Sequence, residues 1–173
     1  KDLDNKLSGF QKSDLIILAA RPSVGKTSLA LDLARNAAIK GNVPVVVFSL
    51  EMSKQQLVDR MLAAQAQVDS WKLRTGKLDM GEELERLQQG MHELMQAPIF
   101  IDDKPANTIM NMRSVLRKLN HDKPVGLVIV DYLQLMGTSK NYDNMVNQVT
   151  EISRSLKGLA KEFNVPVIAL SQL

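Results

Sequence analysis

The chain has 173 residues, of which 45% are hydrophobic, and this size suits one globular domain with its own core. It contains no cysteine, which excludes disulfide bridges and thiolate metal sites and fits a cytoplasmic location. The formal net charge of +3 permits a nucleic-acid partner without indicating one, and no apolar run approaches the roughly 20 residues of a membrane-spanning helix.

Apolar runs alternate with stretches of helical spacing along the chain. In chain order the pattern predicts a strand over residues 15–20, a helix over 28–40, a strand over 43–50, a helix over 53–68, an irregular segment over 70–79, a helix over 81–95, a strand over 98–101, a helix over 108–119, a strand over 125–130, a loop over 136–144, a helix over 145–163 and a strand over 165–170. Gly41 is expected to end the first helix, Ser53 to cap the second, and Trp71 to anchor the irregular segment. The alternation predicts an α/β fold with a mostly parallel sheet, whose ligands bind beyond the carboxyl ends of the strands.

The segment between the first strand and the first helix matches the phosphate-binding P-loop, Gly-x-x-x-x-Gly-Lys-[Ser/Thr], except that Ala20 replaces the first glycine. Glycine lets the backbone approach the phosphates, successive N–H groups bind them, and the start of the helix adds a positive dipole end. Ala20 is expected to have an ordinary φ, because alanine avoids positive values. The alternative is a chance Gly-Lys-Thr at an ordinary strand–helix junction. The predicted nucleotide-binding residues are Arg21, Pro22, Ser23, Val24, Gly25, Lys26, Thr27 and Ser28.

A second motif predicts the metal site. Four apolar residues, 127–130, precede Asp131, as in the Walker B strand that delivers a carboxylate to Mg²⁺. Thr27 would supply a hydroxyl to the same ion. Many strands also end in aspartate because it forms turns, and that is the structural alternative for Asp131.

The catalytic base is not where many P-loop ATPases place it, since Tyr132 follows Asp131. Glu51, at the end of the second strand, is the best candidate for polarising the attacking water, while Lys26 stabilises the phosphate charge. The alternative for Glu51 is a glutamate that favours the start of the next helix. Gln172 follows the last strand and could sense the γ-phosphate by one hydrogen bond, or be an ordinary polar loop residue.

Six segments of the chain carry a combined signature. They are Ala19-Ala20-Arg21-Pro22-Ser23-Val24-Gly25-Lys26-Thr27, Phe48-Ser49-Leu50-Glu51-Met52-Ser53, Leu73-Arg74-Thr75-Gly76, Val130-Asp131-Tyr132-Leu133-Gln134-Leu135, Glu151-Ile152-Ser153-Arg154-Ser155-Leu156-Lys157 and Ser171-Gln172-Leu173. Together they resemble the hexameric replicative DNA helicases of the DnaB type. They occur in that family's order, cover nearly the whole chain, and are much more specific than a P-loop alone.

The resemblance implies a RecA-like P-loop NTPase core that uses Mg²⁺ and ATP to translocate on single-stranded DNA and unwind the duplex at the replication fork. The implied partners are single-stranded DNA, further copies in a ring homo-hexamer, a primase and a helicase loader, without a membrane. It supports Glu51 as base and Gln172 as γ-phosphate sensor, and it implies that Arg60 packs on the adenine. A RecA-like ATPase of another kind, such as a recombinase paralogue or a timing ATPase, is the alternative function.

Parts of the family pattern are not found in residues 1–173. The N-terminal collar domain, the arginine finger and the main DNA-binding loops are absent, so we expect a partial core that is weakly active alone, with one side of the first strand uncovered. The loop over 136–144 could line a DNA channel, with Lys140 touching phosphate, or be a surface loop.

Overall fold

Five strands and six helices alternate in the described part of the computed structural model, which comprises residues 8–79, 81–105, 107–136 and 145–173. The strands are β1 (Leu15–Ala20), β2 (Val45–Ser49), β3 (Ile99–Asp102), β4 (Leu127–Asp131) and β5 (Val167–Gln172). The helices are α1 (Lys26–Gly41), α2 (Lys54–Ala66), α3 (Ser70–Thr75), α4 (Glu82–Gln96), α5 (Ile109–Asp122) and α6 (Met145–Phe163), and a 3-10 turn (Leu133–Leu135) follows β4. Lys140 and the rest of the predicted loop after Met136 lie outside the described residues.

All five strands pair in parallel in the order β1-β5-β4-β2-β3. The parallel α/β fold predicted from the alternating pattern is therefore confirmed. β1 lies at one edge of the sheet, as expected, and β3 lies at the other. The carboxyl ends of β1, β2, β4 and β5 meet at one end of the sheet, where a ligand is expected.

Both faces of the sheet are covered, because side chains alternate along each strand. Val46 and Phe48 of β2 face one cluster, in which they pack with Met112 of α5 and Leu156 of α6. The intervening residues of β2 pack with α1 and α2 in the opposite cluster. Each face thus has its own buried core, which explains why the central strands are almost wholly apolar.

The segment predicted to be irregular contains a short helix, α3. Asp69 caps it by accepting a hydrogen bond from the Trp71 N–H at 2.7 Å, and Gly76 ends it with a φ of 69°. The prediction of a packing anchor was wrong: the Trp71 side chain is 51% exposed, and its ring centre lies 5.2 Å from the Lys77 ammonium.

Two predicted helix boundaries can be compared with the structure. Ser53 caps α2, and its side chain and that of Gln56 form a reciprocal capping box. At the end of α1, Gly41 remains helical and Asn42 adopts the left-handed conformation with a φ of 49°. Asparagine tolerates this region better than most residues, so the boundary falls one position later than expected. No described helix combines the length and apolarity needed to cross a bilayer.

Candidate nucleotide-binding site

The phosphate loop connects the buried sheet to the first turn of α1. Ala20 is the last residue of β1, so its backbone is extended and its φ is ordinary, as predicted. The left-handed positions fall later, at Ser23 with a φ of 64° and Gly25 with a φ of 96°. A Cβ at Gly25 would meet no atom within 4 Å, so backbone conformation, and not space, requires glycine there.

The first turn of α1 is suited to binding an anion. The helix begins at Lys26, and its first hydrogen bond runs from the Leu29 N–H to the Gly25 carbonyl at 2.9 Å. The N–H groups before that point have no partner within the helix. They lie at the positive end of the dipole of a 16-residue helix, which favours phosphate at this position.

Thr27 and Asp131 are brought together across 104 residues of sequence. The Thr27 hydroxyl donates a 2.8 Å hydrogen bond to Oδ2 of Asp131, which is 3% exposed. The second carboxylate oxygen, Oδ1, is buried and has no hydrogen-bond partner among the described residues. A hydroxyl beside a carboxylate with a free oxygen is the donor set that Mg²⁺ uses when phosphates and waters complete its shell, so these residues fit the ion.

The electrostatic surroundings of Asp131 also favour a cation. Burial raises the pKa of this carboxyl above its usual value, and this effect outweighs the Thr27 hydrogen bond and the charges of Lys26 and Arg60, which lower it. The buried negative charge is therefore incompletely compensated by the protein. A bound divalent ion would supply the missing compensation.

Lys26 has a contact that the sequence did not predict. Its ammonium lies 5.0 Å from the ring centre of Tyr132, the residue directly after Asp131. This distance is within the range of cation–π attraction. Tyr132, at the position where many P-loop ATPases place a glutamate, thus contacts the lysine of the loop.

Glu51 lies at the same end of the sheet as Asp131. Ser49 pairs with Asp131 in the parallel register, and the Leu50 N–H donates to the Asp131 carbonyl at 2.7 Å. The Ser49 hydroxyl closes the following turn by bonding to the carbonyl and N–H of Met52 at 2.7 and 3.1 Å. Glu51 is exposed within this turn and lies outside the first turn of α2, which begins after Ser53. That location weakens the structural alternative for Glu51.

Gln172 ends β5 and pairs with Ala20, the last residue of β1. The carbonyl and N–H of Gln172 form hydrogen bonds with the side-chain amide of Gln134, which also donates to the Ser171 hydroxyl. The structure therefore places Gln172 at the level of the phosphate loop. Gln134 lies in the segment 130–135, one of the six that carry the family resemblance, but the sequence predicted no role for it. Its partners are 37 and 38 positions away in the sequence.

Arg60 is exposed on α2. Its charge is one of the smaller influences that lower the pKa of Asp131, which burial raises overall. The predicted contact between Arg60 and adenine remains a prediction.

The fold and this pocket define a P-loop nucleotide-binding domain of the RecA-like type. A family model described as the DnaB-like helicase C terminal domain matches residues 1–173. The chain belongs to that family.

Individual relatives agree with the family match. The chain is 53% identical to the replicative DNA helicase DnaB of Nostoc sp. (strain PCC 7120) and 51% identical to that of Geobacillus stearothermophilus. In each case 99% of this chain is aligned, but it spans only 20% and 38% of the two relatives. The alternative families considered from the sequence are not favoured by these matches.

Solved structures show the same fold. A DnaB-like replicative helicase, described with its interactions with primase, superposes with a TM-score of 0.93 at 34% identity, covering 99% of this chain and 42% of that one. A second structure, described as an ATPase domain, gives a TM-score of 0.92 at 34% identity, with 99% of this chain and 61% of that one covered. The RecA-like core predicted from the motifs is therefore confirmed.

Proposed function

We propose that this site binds Mg²⁺-ATP and hydrolyses it. The observation that carries the proposal is the hydrogen bond between Thr27 and Asp131, which joins the P-loop to the end of β4 at 2.8 Å. Phosphates would lie on the N–H groups of the loop, between the left-handed Gly25 and the start of α1. Lys26 would reach the β- and γ-phosphates, while Thr27 and Asp131 hold the metal ion.

Hydrolysis then needs an activated water and a stabilised γ-phosphoryl group. Glu51 would polarise the water, whose oxygen bonds to the γ-phosphorus as the bond to the β–γ bridging oxygen breaks, releasing ADP and phosphate. Lys26 would balance the charge that develops on the phosphates. The Gln172 side-chain amide would sense the γ-phosphate through a hydrogen bond. Arg60 would pack on the adenine base of the nucleotide.

For the protein that carries this domain, we propose an ATP-driven replicative DNA helicase. The support is the 51% and 53% identity to two replicative DNA helicases and the domain-wide family match. The proposed assembly is a ring homo-hexamer that translocates on single-stranded DNA at the replication fork in the cytoplasm. The proposed partners are a primase and a helicase loader, and the neighbour described with primase supports the first of them.

Residues 1–173 alone should hydrolyse ATP slowly. In related phosphoryl-transfer sites a cation from a neighbouring subunit contributes roughly 10³–10⁵ in rate. We infer that this cation is not supplied by these residues. The test is the steady-state rate of ATP hydrolysis by residues 1–173. A rate that rises steeply with protein concentration and with added single-stranded DNA would contradict this expectation.

The proposal is tested by Lys26→Ala in the full-length protein. Removing the loop ammonium should lower ATP hydrolysis by about 10²-fold or more, because a preorganised charge on the phosphates is lost. The matched control is Lys12→Ala, which removes an exposed lysine from the chain before β1. Near-normal hydrolysis by Lys26→Ala would refute the nucleotide site. DNA strand displacement by the unmodified protein separates a helicase from a RecA-like ATPase of another kind.

A further inference from the structure

The hydrogen-bond ladder between β4 and β5 stops before the candidate site. Its last pair joins Val130 to Ala169, whereas β5 continues beside β1 as far as Gln172. On the β1 side, the Leu173 N–H still donates to the Ala20 carbonyl at 3.2 Å. The opposite side of β5, at its last residues, has no strand partner from β4 and would leave main-chain groups unpaired.

One side chain takes the place of the missing strand. The Gln134 amide nitrogen donates to the Gln172 carbonyl at 2.9 Å, and the Gln172 N–H donates to the Gln134 carbonyl oxygen at 3.4 Å. The same nitrogen donates to the Ser171 hydroxyl at 3.0 Å. A side-chain amide carries one acceptor and two donor hydrogens, so it can satisfy both main-chain groups of Gln172 as a neighbouring peptide group would.

Gln134 is itself held firmly on the β4 side. It lies three residues after Asp131, in the 3-10 turn that the Met136 N–H closes by donating to the Leu133 carbonyl at 3.1 Å. Leu133 and Met136, on either side, are 1% and 2% exposed and belong to the core beneath the sheet. The amide of Gln134 therefore connects the strand end that carries Asp131 to the strand end that carries Gln172.

We propose that Gln134 is a positioning residue for Gln172. It fixes the main chain of Gln172, the γ-phosphate sensor, relative to the metal-binding carboxylate of Asp131. The sensor amide and the metal ion would then contact the same phosphate in one fixed geometry. The proposal rests on the proposed function, in which Gln172 contacts the γ-phosphate. It assigns Gln134 no contact with nucleotide, and it requires an amide, because no hydrocarbon side chain of that length can both donate and accept.

The test uses four variants of the full-length protein. Gln134→Met keeps the length of the side chain and removes its hydrogen bonds, Gln172→Ala removes the sensor, and the third variant combines both changes. Gln89→Met is the matched control, since Gln89 is exposed on α4 and its side-chain amide donates to Glu93 in its own helix. We measure kcat and KM for ATP hydrolysis, the Kd for ADP and the melting temperature.

Gln134→Met should lower kcat about tenfold, the size expected when hydrogen bonds that orient a reacting group are lost. The Kd for ADP should stay within about twofold, because ADP lacks the γ-phosphate that the sensor contacts. The double variant should be no slower than Gln172→Ala alone, and Gln89→Met should match the unmodified protein.

Three results would overturn the proposal. Multiplying effects in the double variant would mean that Gln134 acts independently of Gln172. A parallel loss of ADP and ATP affinity with a fallen melting temperature would mean that Gln134 only stabilises the fold. Normal hydrolysis by Gln172→Ala would remove the sensor itself; if Lys26→Ala is still inactive, the nucleotide site stands and only the positioning role fails.

Discussion

The two ends of the sheet are closed by different chemistry. At the amino end, carbonyls of prolines that precede the strands accept N–H groups from neighbouring strands: Val45 donates to Pro98 at 2.9 Å and Val128 to Pro166 at 3.1 Å. At the carboxyl end, main-chain bonds such as that from Leu50 to Asp131 are supplemented by side-chain links, from Thr27 to Asp131 and from Gln134 to Gln172.

This difference separates stability from function. A main-chain link at the amino end tolerates most side-chain changes, because it depends only on backbone geometry and local space. A side-chain link at the carboxyl end depends on the identity of the residue, because only a polar side chain can supply its donors and acceptors. Changes at the carboxyl end should therefore alter catalysis, and changes at the amino end should alter only the free energy of unfolding.

The largest effect is expected for Glu51→Gln at the carboxyl end. An amide cannot take a proton from the attacking water, so hydrolysis should fall by about 10²–10⁴-fold while ATP affinity is retained. The measurements are single-turnover hydrolysis and equilibrium ATP binding in the full-length protein. Glu85→Gln, at an exposed site on α4, is the control. Lost affinity with normal turnover per bound ATP would show that Glu51 has a structural role.

Gly126→Ala tests the amino end. The Gly126 N–H donates to the Pro44 carbonyl at 2.8 Å, and a Cβ there would lie 2.4 Å from a methyl group of Val43. The structure would have to shift to relieve this contact, and the shift should lower the free energy of unfolding by about 1–3 kcal/mol. Denaturant titration measures the loss, and ATP affinity of the folded protein should not change.

Gly158→Ala on α6 is the matched control for that change. A Cβ at Gly158 meets no atom within 4 Å, so alanine should stabilise the helix by about 0.5–1 kcal/mol. Equal destabilisation by both substitutions would contradict the steric explanation. A loss of ATP affinity in Gly126→Ala would show that the two ends of the sheet are not independent.

The smallest effect is expected from Asp131→Asn without nucleotide. Thr27 can still donate to the asparagine oxygen, while the buried charge is gone. Because the pKa of Asp131 is raised by burial, the folded state binds a proton more tightly than the unfolded state, and the ionised carboxyl destabilises the fold at neutral pH. The variant should therefore gain stability and melt at a higher temperature than the parent, and we expect it to bind Mg²⁺ less tightly.

The stability gained by Asp131→Asn depends on pH, because the pKa of Asp131 is raised in the folded state. The gain is full above the raised pKa of Asp131 and disappears as the pH falls below the ordinary aspartate value of 3.8, where both states are protonated. Melting curves of both proteins in a chelator, taken across this range, measure it. A variant that melts lower than the parent at neutral pH would contradict the assigned cause.

The parts of the site that the sequence predicted are those encoded in short segments. The P-loop and the strand ending in Asp131 depend on near neighbours in the sequence, so spacing and apolar runs were sufficient. The contact of Lys26 with Tyr132 and the bonds of Gln134 to β5 depend on strand order, which no local pattern contains. The six residues of α3 are too few for helical periodicity to register.

The edge position of β1 has a mechanical consequence. Within the described residues, β5 is the one strand that pairs with β1, and six residue pairs join them from Leu15↔Val167 to Ala20↔Gln172. The strand that anchors the phosphate loop is therefore supported by the strand that ends at Gln172. If β5 moves when the γ-phosphate leaves the site, the phosphate loop should move with it. Release of phosphate would then weaken the binding of ADP.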